Sequence, residues 1–367
     1  MWARLSVAIW KEMVSYLQDP TTRRFLIGAP IVQTVLFAFS ATLDVQNIDV
    51  AVLDQDTGRW SHELVERVDA AWFTDEIISA RDSRELEELI TAREALVALH
   101  LAPDFSRRID AGLPASVQVV VDGRRANAGQ VATSYLATVV GELGAALVPA
   151  SALQQPLLEE RHWFNPNRNY RWFMVANLSG VLGMMMCLVV TSLSIARERE
   201  MGTFDQLLVS PISATEIIIA KTMPGMMAGF VVSLIITLLA VFAFGAPYTG
   251  QLLLFPFALS LFVLSVVGMG LLISSLCNTQ QQAIMGSFFS SIPFVLTSGF
   301  ATPVENMPEW LQWAAELNPL KHYLVVVQGS FFKSHGLADV VASIWPLLPL
   351  ALASLAIASI EVRSKLG

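Results

Sequence analysis

Residues 172–211 read WFMVANLSGVLGMMMCLVVTSLSIAREREMGTFDQLLVSP. Nothing between Trp172 and Ala196 carries a charge. A helix crosses a bilayer core with about 20 apolar residues, so this run predicts a membrane span. Four charged residues follow, Arg197-Glu198-Arg199-Glu200, then Gly202, which breaks or bends the helix, and finally Ser210-Pro211. Thr203 suits an N-cap, and a proline pushes the residue before it out of the helical region. Phe204–Val209 is therefore predicted as a short helix with Phe204, Leu207 and Leu208 on one face. Such a helix, apolar on one side and charged at its neck, fits a groove on a partner protein. It fits equally a loop helix lying on lipid headgroups.

The rest of the chain has the same apolar character. Its 367 residues are 54% hydrophobic and 15% charged, where soluble proteins are about 25% charged. Charge is unevenly placed. Residues 44–170 hold 20 Asp and Glu, 11 Arg and no Lys, which leaves 11 acidic and 12 basic residues elsewhere. The net charge of −8 thus belongs to one segment, as expected of a soluble acidic domain inserted into a membrane protein. Cys187 and Cys277 lie in apolar runs without metal or redox spacing and read as small buried hydrophobes.

The expected fold is a membrane all-α domain of six transmembrane helices with an inserted extracytoplasmic α/β domain. The spans are predicted at 23–43, 171–197, 221–245, 252–277, 283–300 and 339–361. The fifth is the shortest and contains Pro293, which leaves a tilted, broken or re-entrant segment open. Arg and Lys in short loops set orientation. Arg4, Lys11, Arg23, Arg24, Arg197, Arg199, Lys221, Arg363 and Lys365 fall on one side, against Lys321 and Lys333 on the other. Both termini, the 198–220 loop and the 362–367 tail are therefore expected in the cytoplasm, and 44–170 outside. In residues 1–22, Trp2, Leu5, Ile9, Trp10, Met13, Tyr16 and Leu17 recur at helical spacing, with Arg4, Lys11 and Glu12 on other faces. This predicts an interfacial amphipathic helix on the cytoplasmic leaflet, and it favours retention over cleavage of a signal peptide near Ala38-Phe39-Ser40.

Within 44–170, strand patterns at 47–54, 76–80, 95–101 and 116–121 alternate with helical patterns at 60–71, 83–91, 103–112 and 126–147. That alternation predicts an α/β layer with a partly parallel sheet. Arg124 and Arg125 read either as a grip on an anion or as the solvated start of the last helix.

The absent chemistry narrows the function. His62, His100, His162, His322 and His335 form no HExxH pair, no Walker A sequence occurs, and no acid sits mid-span. Catalytic residues, a metal and a cofactor are not expected in this chain. It reads as a translocator without its own energy source. The other reading is a membrane-anchored receptor or assembly scaffold that binds through its outer domain.

The pattern RERExGTxxQLLVxP at 197–211 resembles the cytoplasmic loop of ABC-2 type permeases, the membrane subunits of one class of ABC transporter. Residues 298–333, SGFATPVENMPEWLQWAAELNPLKHYLVVVQGSFFK, resemble the outer segment between the last two spans of that family, and Phe164-Asn165-Pro166 is a third match. The likeness covers essentially the whole chain and is greatest to bacterial drug-efflux permeases with an outward α/β domain. It implies a multi-pass protein of the bacterial inner membrane that exports a hydrophobic or amphiphilic substrate. ATP and Mg²⁺ would be bound by a separate ABC ATPase dimer. A second permease, identical or paralogous, would complete the pathway, with a periplasmic adaptor and an outer-membrane channel as further partners beside membrane lipid. No nucleic acid is implied.

The resemblance also assigns residues. Arg197, Glu198, Arg199, Glu200, Gly202, Thr203, Phe204, Leu207 and Leu208 would contact the ATPase. Met307, Pro308, Trp310, Asn318 and Pro319 would form an outer gate within the re-entrant or interfacial segment 301–338. Ala176-Asn177-Leu178 stands where related sequences often carry Pro-Gly-Leu. Asn177, Met184 and Met185 are pathway candidates. Asn177 suits equally a bond across a dimer interface or to its own backbone, and the methionines suit packing.

Overall fold

The computed structural model describes residues 2–18, 20–40, 47–147, 169–204, 213–333 and 336–366. The chain divides into two units, Met1–Ala41 with His162–Gly367, and Thr42–Arg161. The first unit starts with α1 (Trp2–Gln18) and α2 (Pro20–Ser40). α1 buries Leu5 and Glu12 and exposes Val7, Trp10 and Leu17. Glu12, expected off the apolar face of the helix, is buried.

The second unit runs β1 (Ile48–Asp54), α3 (Arg59–Asp69), β2 (Thr74–Ser79), α4 (Ser83–Ala92), β3 (Val97–Leu101), α5 (Phe105–Asp110), β4 (Val117–Val121) and α6 (Ala126–Leu147). Its sheet has the order β2-β1-β3-β4, with β1 parallel to β2 and β3, and β4 antiparallel to β3. β1 and β3 are central and covered on both faces, which is why they read as near-continuous apolar runs. Leu64, Val68, Leu99 and Leu136 fill one face, and Leu53, Leu86 and Ala98 the other. The turn after β1 is set by two aspartates. Asp54 accepts the N–H groups of Asp56 and Thr57, and Asp56 those of Gly58 and Ser106. Arg124 donates to Asp122 at 2.8 Å and to the Ile90 carbonyl, at the end of α4, at 2.8 Å. Its half-exposed guanidinium is engaged by the Asp122 carboxylate and the carbonyls at the end of α4.

The first unit continues with α7 (Tyr170–Glu200), α8 (Ala214–Phe242), α9 (Leu254–Leu276), α10 (Gln280–Leu296), α11 (Glu309–Glu316), α12 (Pro319–Gln328), a π-helical turn at Gly329–Lys333, α13 (Leu337–Ile344) and α14 (Leu347–Leu366). α7 is the axis and packs on α2, α8, α9, α10 and α12. Lipid supplies no hydrophobic drive between helices, so close approach through small residues does the work. A Cβ on Gly225 would strike the Thr191 side chain, and one on Gly183 would strike Ser233. Ser233 in turn donates to the Ser179 carbonyl at 2.8 Å, a bond from α8 to α7.

Tyr170–Glu200, Ala214–Phe242, Leu254–Leu276 and Leu337–Val362 are long and apolar enough to cross a membrane. The apolar part of α2, Leu26–Ser40, is shorter, and α10 has 17 residues where a span needs about 20. The helix predicted over 339–361 is interrupted at Trp345-Pro346, between α13 and α14. Pro346 has no N–H to offer and clashes with the preceding turn. α12 is packed into the bundle core through Leu320, Tyr323, Leu324 and Val327, with Tyr323 stacked on Phe262 of α9 at 4.3 Å.

Candidate functional site

α7 ends in a Schellman motif. Gly202 sits at φ +68, its N–H donates to Arg199 O at 3.1 Å, and the Thr203 N–H donates to Glu198 O at 2.9 Å. Glycine takes this left-handed backbone without a Cβ penalty. Phe204 is described; Leu207, Leu208 and the remainder of the helix predicted to Val209 lie outside the described residues, as does Phe164-Asn165-Pro166. α8 then opens on a capping box, in which the Ser213 hydroxyl and the Glu216 carboxylate satisfy each other's backbone N–H groups.

Three consecutive charged residues at the end of α7 reach three different places. Arg199 donates to the carbonyls of Ser275 at 2.6 Å and Cys277 at 3.2 Å, where α9 ends. A cation belongs at that negative end of a helix dipole. Its guanidinium also lies 5.1 Å from the Phe204 ring centre. Glu200 accepts the Gln280 N–H at 2.7 Å, at the positive start of α10. Glu198 turns inward, with its Oε1 2.5 Å from Lys221 Nζ on α8. The same ammonium lies 2.8 Å from Glu12 Oε1 on α1 and 3.4 Å from Ser194 O. One turn beyond Glu12, the Tyr16 hydroxyl donates to Val190 O at 3.2 Å. Burial, and then the Glu12 carboxylate, push the Tyr16 phenol above its ordinary range.

The side chains of Lys221, Glu12 and Glu198 are 3%, 10% and 11% exposed. Lys11 stands 4.0 Å from Glu198 and is open to solvent. An ammonium removed from water is held only where carboxylates and carbonyls take up its three donors, and here they do. Glu198 was predicted on a surface offered to another protein; in this chain its Oε1 faces Lys221. What the neck offers outward is Glu200, Met201 and Gly202, all exposed. Glu12 and Lys221 were not among the predicted site residues. Their sequence signal is slight: a lone lysine at the edge of the apolar run after Glu198, with its partner 209 positions away.

Among the described residues no group of three His, Cys, Asp or Glu side chains is placed to hold a metal ion. Asn177 is fully buried; its Nδ2 donates to Phe173 O at 2.8 Å, and its Oδ1 accepts from Gln328 at 3.2 Å. One of these bonds stays within α7 and the other joins it to α12. Met184 is buried in the helix core and Met185 packs against it.

A family profile described as ABC-2 family transporter protein matches residues 25–360. The chain belongs to that family. The permease is 39% identical over 349 residues to the probable multidrug ABC transporter permease YbhR of Escherichia coli, covering 95% of each chain. It is 26% identical over 377 residues to the probable multidrug ABC transporter permease YbhS of the same organism, covering 100% of this chain and 98% of the relative. The Escherichia coli inner membrane transport permease YhhJ is 26% identical over 366 residues, covering 97% and 96%. The protein is thus an integral membrane permease of an ABC transporter, and the family implies association with an ABC ATPase subunit.

In the permease's 298–333 segment, Asn318 and Pro319 are buried, while Pro308 and Trp310 are exposed and Met307 is half-buried. Asn318 caps α12 by accepting the Leu320 N–H at 2.9 Å, with Pro319 at the first helical position. Its amide donates to Phe294 O at 2.7 Å and Thr297 Oγ1 at 3.0 Å. One side chain thus ties the end of α10 to the start of α12.

Proposed function

We propose that this permease exports a hydrophobic or amphiphilic substrate across a bacterial inner membrane, driven by a separate ATPase that docks on the 197–211 segment. In this reading the chain spans the membrane six times, α2 and α10 supplying the two shorter crossings. Both termini face the cytoplasm, and Thr42–Arg161 faces outward. ATP and Mg²⁺ reside on the ATPase dimer, and a second permease completes the pathway. An adaptor and an outer-membrane channel receive the cargo outside. Met307, Pro308 and Trp310 line the outer gate, with Asn318 and Pro319 as its hinge.

The observation that carries the coupling role is the distribution of the α7 neck. Arg199 holds the end of α9, Glu200 the start of α10, and Glu198 reaches Lys221, two turns into α8. A displacement of Gly202 and the residues after it is therefore delivered to three helices at once. Interlocked helices of this kind shift between discrete arrangements and do not deform gradually. The ATPase favours one arrangement by binding it more tightly.

The test is co-purification with the ATPase and ATP turnover by the complex, using Arg199→Ala combined with Glu200→Ala. The complex is expected to assemble with its turnover uncoupled from the permease. Unchanged coupling contradicts the assignment, and failure of the wild-type chain to hold any ATPase favours the receptor or scaffold role.

A further inference from the structure

We propose that the permease holds one anionic phospholipid where the end of α2, the start of α7 and the end of α8 meet at one surface of the membrane. The lipid phosphate sits on Arg171, and its acyl chains lie along α8 and α2. The site is independent of the coupling role proposed above.

Three contacts bring these helix ends together. Trp172, in the first turn of α7, donates its indole N–H to Phe244 O at 3.0 Å, just past the end of α8. Phe244 meets Phe39 at the end of α2, with ring centres 6.1 Å apart. The Arg171 guanidinium lies 4.9 Å from the centre of the Phe39 ring. Tyr and Trp settle at headgroup level in a bilayer. Arg171, between Tyr170 and Trp172, therefore stands where phosphates lie. Its side chain is exposed, and among the described residues it is matched by an aromatic face and by no carboxylate. A guanidinium fork fits the oxygens of a phosphate in pairs.

Below this cation two apolar edges converge. On α8, Ile235, Leu238, Leu239, Phe242 and Ala243 line an open cavity of about 350 Å³. From Ala243 back to Ile235 the helix rises about 12 Å, close to the ~15 Å of acyl layer in one leaflet. On α2, Val32, Leu36 and Phe39 are exposed at helical spacing and end on the ring that Arg171 covers. Two apolar edges beneath one cation match two acyl chains beneath one phosphate. The lining of the cavity is hydrocarbon throughout, whereas a pocket that selects a small solute adds convergent polar groups.

The experiment titrates the full-length permease in detergent with phosphatidylglycerol or with phosphatidylcholine, and reads bound lipid by native mass spectrometry. Wild type is expected to prefer phosphatidylglycerol about fivefold, the usual worth of one basic residue near an anionic surface. Arg171→Gln is expected to abolish the preference, and Arg171→Lys to keep part of it. Ala243→Trp, which fills the groove, is expected to weaken both lipids alike and leave the preference in place. Equal binding of the two lipids by wild type, or a preference unchanged in Arg171→Gln, overturns the proposal. So does cross-linking between two permease copies through Phe242→Cys, in a background with Cys187→Ser and Cys277→Ser, because it would give this face to a second copy.

Discussion

Glu200 accepts the backbone N–H of Gln280 at 2.7 Å, so the last residue of α7 adds an acceptor to the first turn of α10, beside the Thr279 N-cap. The bond joins positions 80 residues apart. Glu200→Ala removes the acceptor of the Gln280 N–H and a charge at the positive end of a helix dipole, while Thr279 stays in place as the N-cap of α10. A loss of about 1 kcal/mol is expected, seen as a lowered melting temperature in detergent and faster amide exchange in residues 280–283. Glu200→Gln, which keeps an acceptor, is expected to lose less than half of that.

Gly202→Ala places a Cβ at φ +68, which costs about 1–2 kcal/mol for an L-residue. Gly202→Asn, a residue tolerant of this region, is expected to be milder. The order Gly, Asn, Ala in thermal stability checks the Schellman ending directly.

The end of α7 was readable because a charge run, a glycine and a proline are local signals. The four strands of the second unit were readable for the same reason, through alternation and turn residues such as Asp54 and Asp56. What sequence could not show was direction. Charged residues are mostly solvated, so the sequence sets Glu12 off the apolar face of its helix, and the family resemblance assigns Glu198 to a partner surface. Only the fold reveals that Lys221, set two turns into α8, meets both. Asn318-Pro319 announces a helix start by its chemistry, yet its reach to Phe294 depends on packing between segments 24 residues apart. The break at Pro346 was missed because hydropathy averages over a proline that geometry does not ignore.

Asn318→Ala removes the α12 cap and leaves the Phe294 carbonyl without its amide donor. A destabilisation of about 2 kcal/mol is expected. Asn318→Asp, which keeps the cap but not the amide, is expected to recover only part of it. Thermal unfolding of the three proteins checks the order.

In the second unit, the hydrogen bonds from Arg124 hold the Asp122 carboxyl below the usual carboxylate range. The folded state therefore binds that proton less readily than the unfolded chain. The stabilisation is fully present above the ordinary aspartate value and is lost as pH falls through the lowered one. Arg124→Met is expected to unfold more easily at neutral pH, with the gap from wild type narrowing in acid. Denaturant midpoints taken from neutral pH downward check this; a gap that widens in acid contradicts it.

The central claim is that the neck of the 197–211 segment touches an ATPase. Met201 is 56% exposed at the end of α7, beside Gly202. The most direct measurement is cross-linking of Met201→Cys, in a background with Cys187→Ser and Cys277→Ser, by a short thiol-to-amine reagent in membranes containing the ATPase. The account predicts a permease–ATPase adduct that changes in yield with ATP. Labelling of the introduced thiol by an impermeant reagent applied from the outer face, with no adduct, would contradict it.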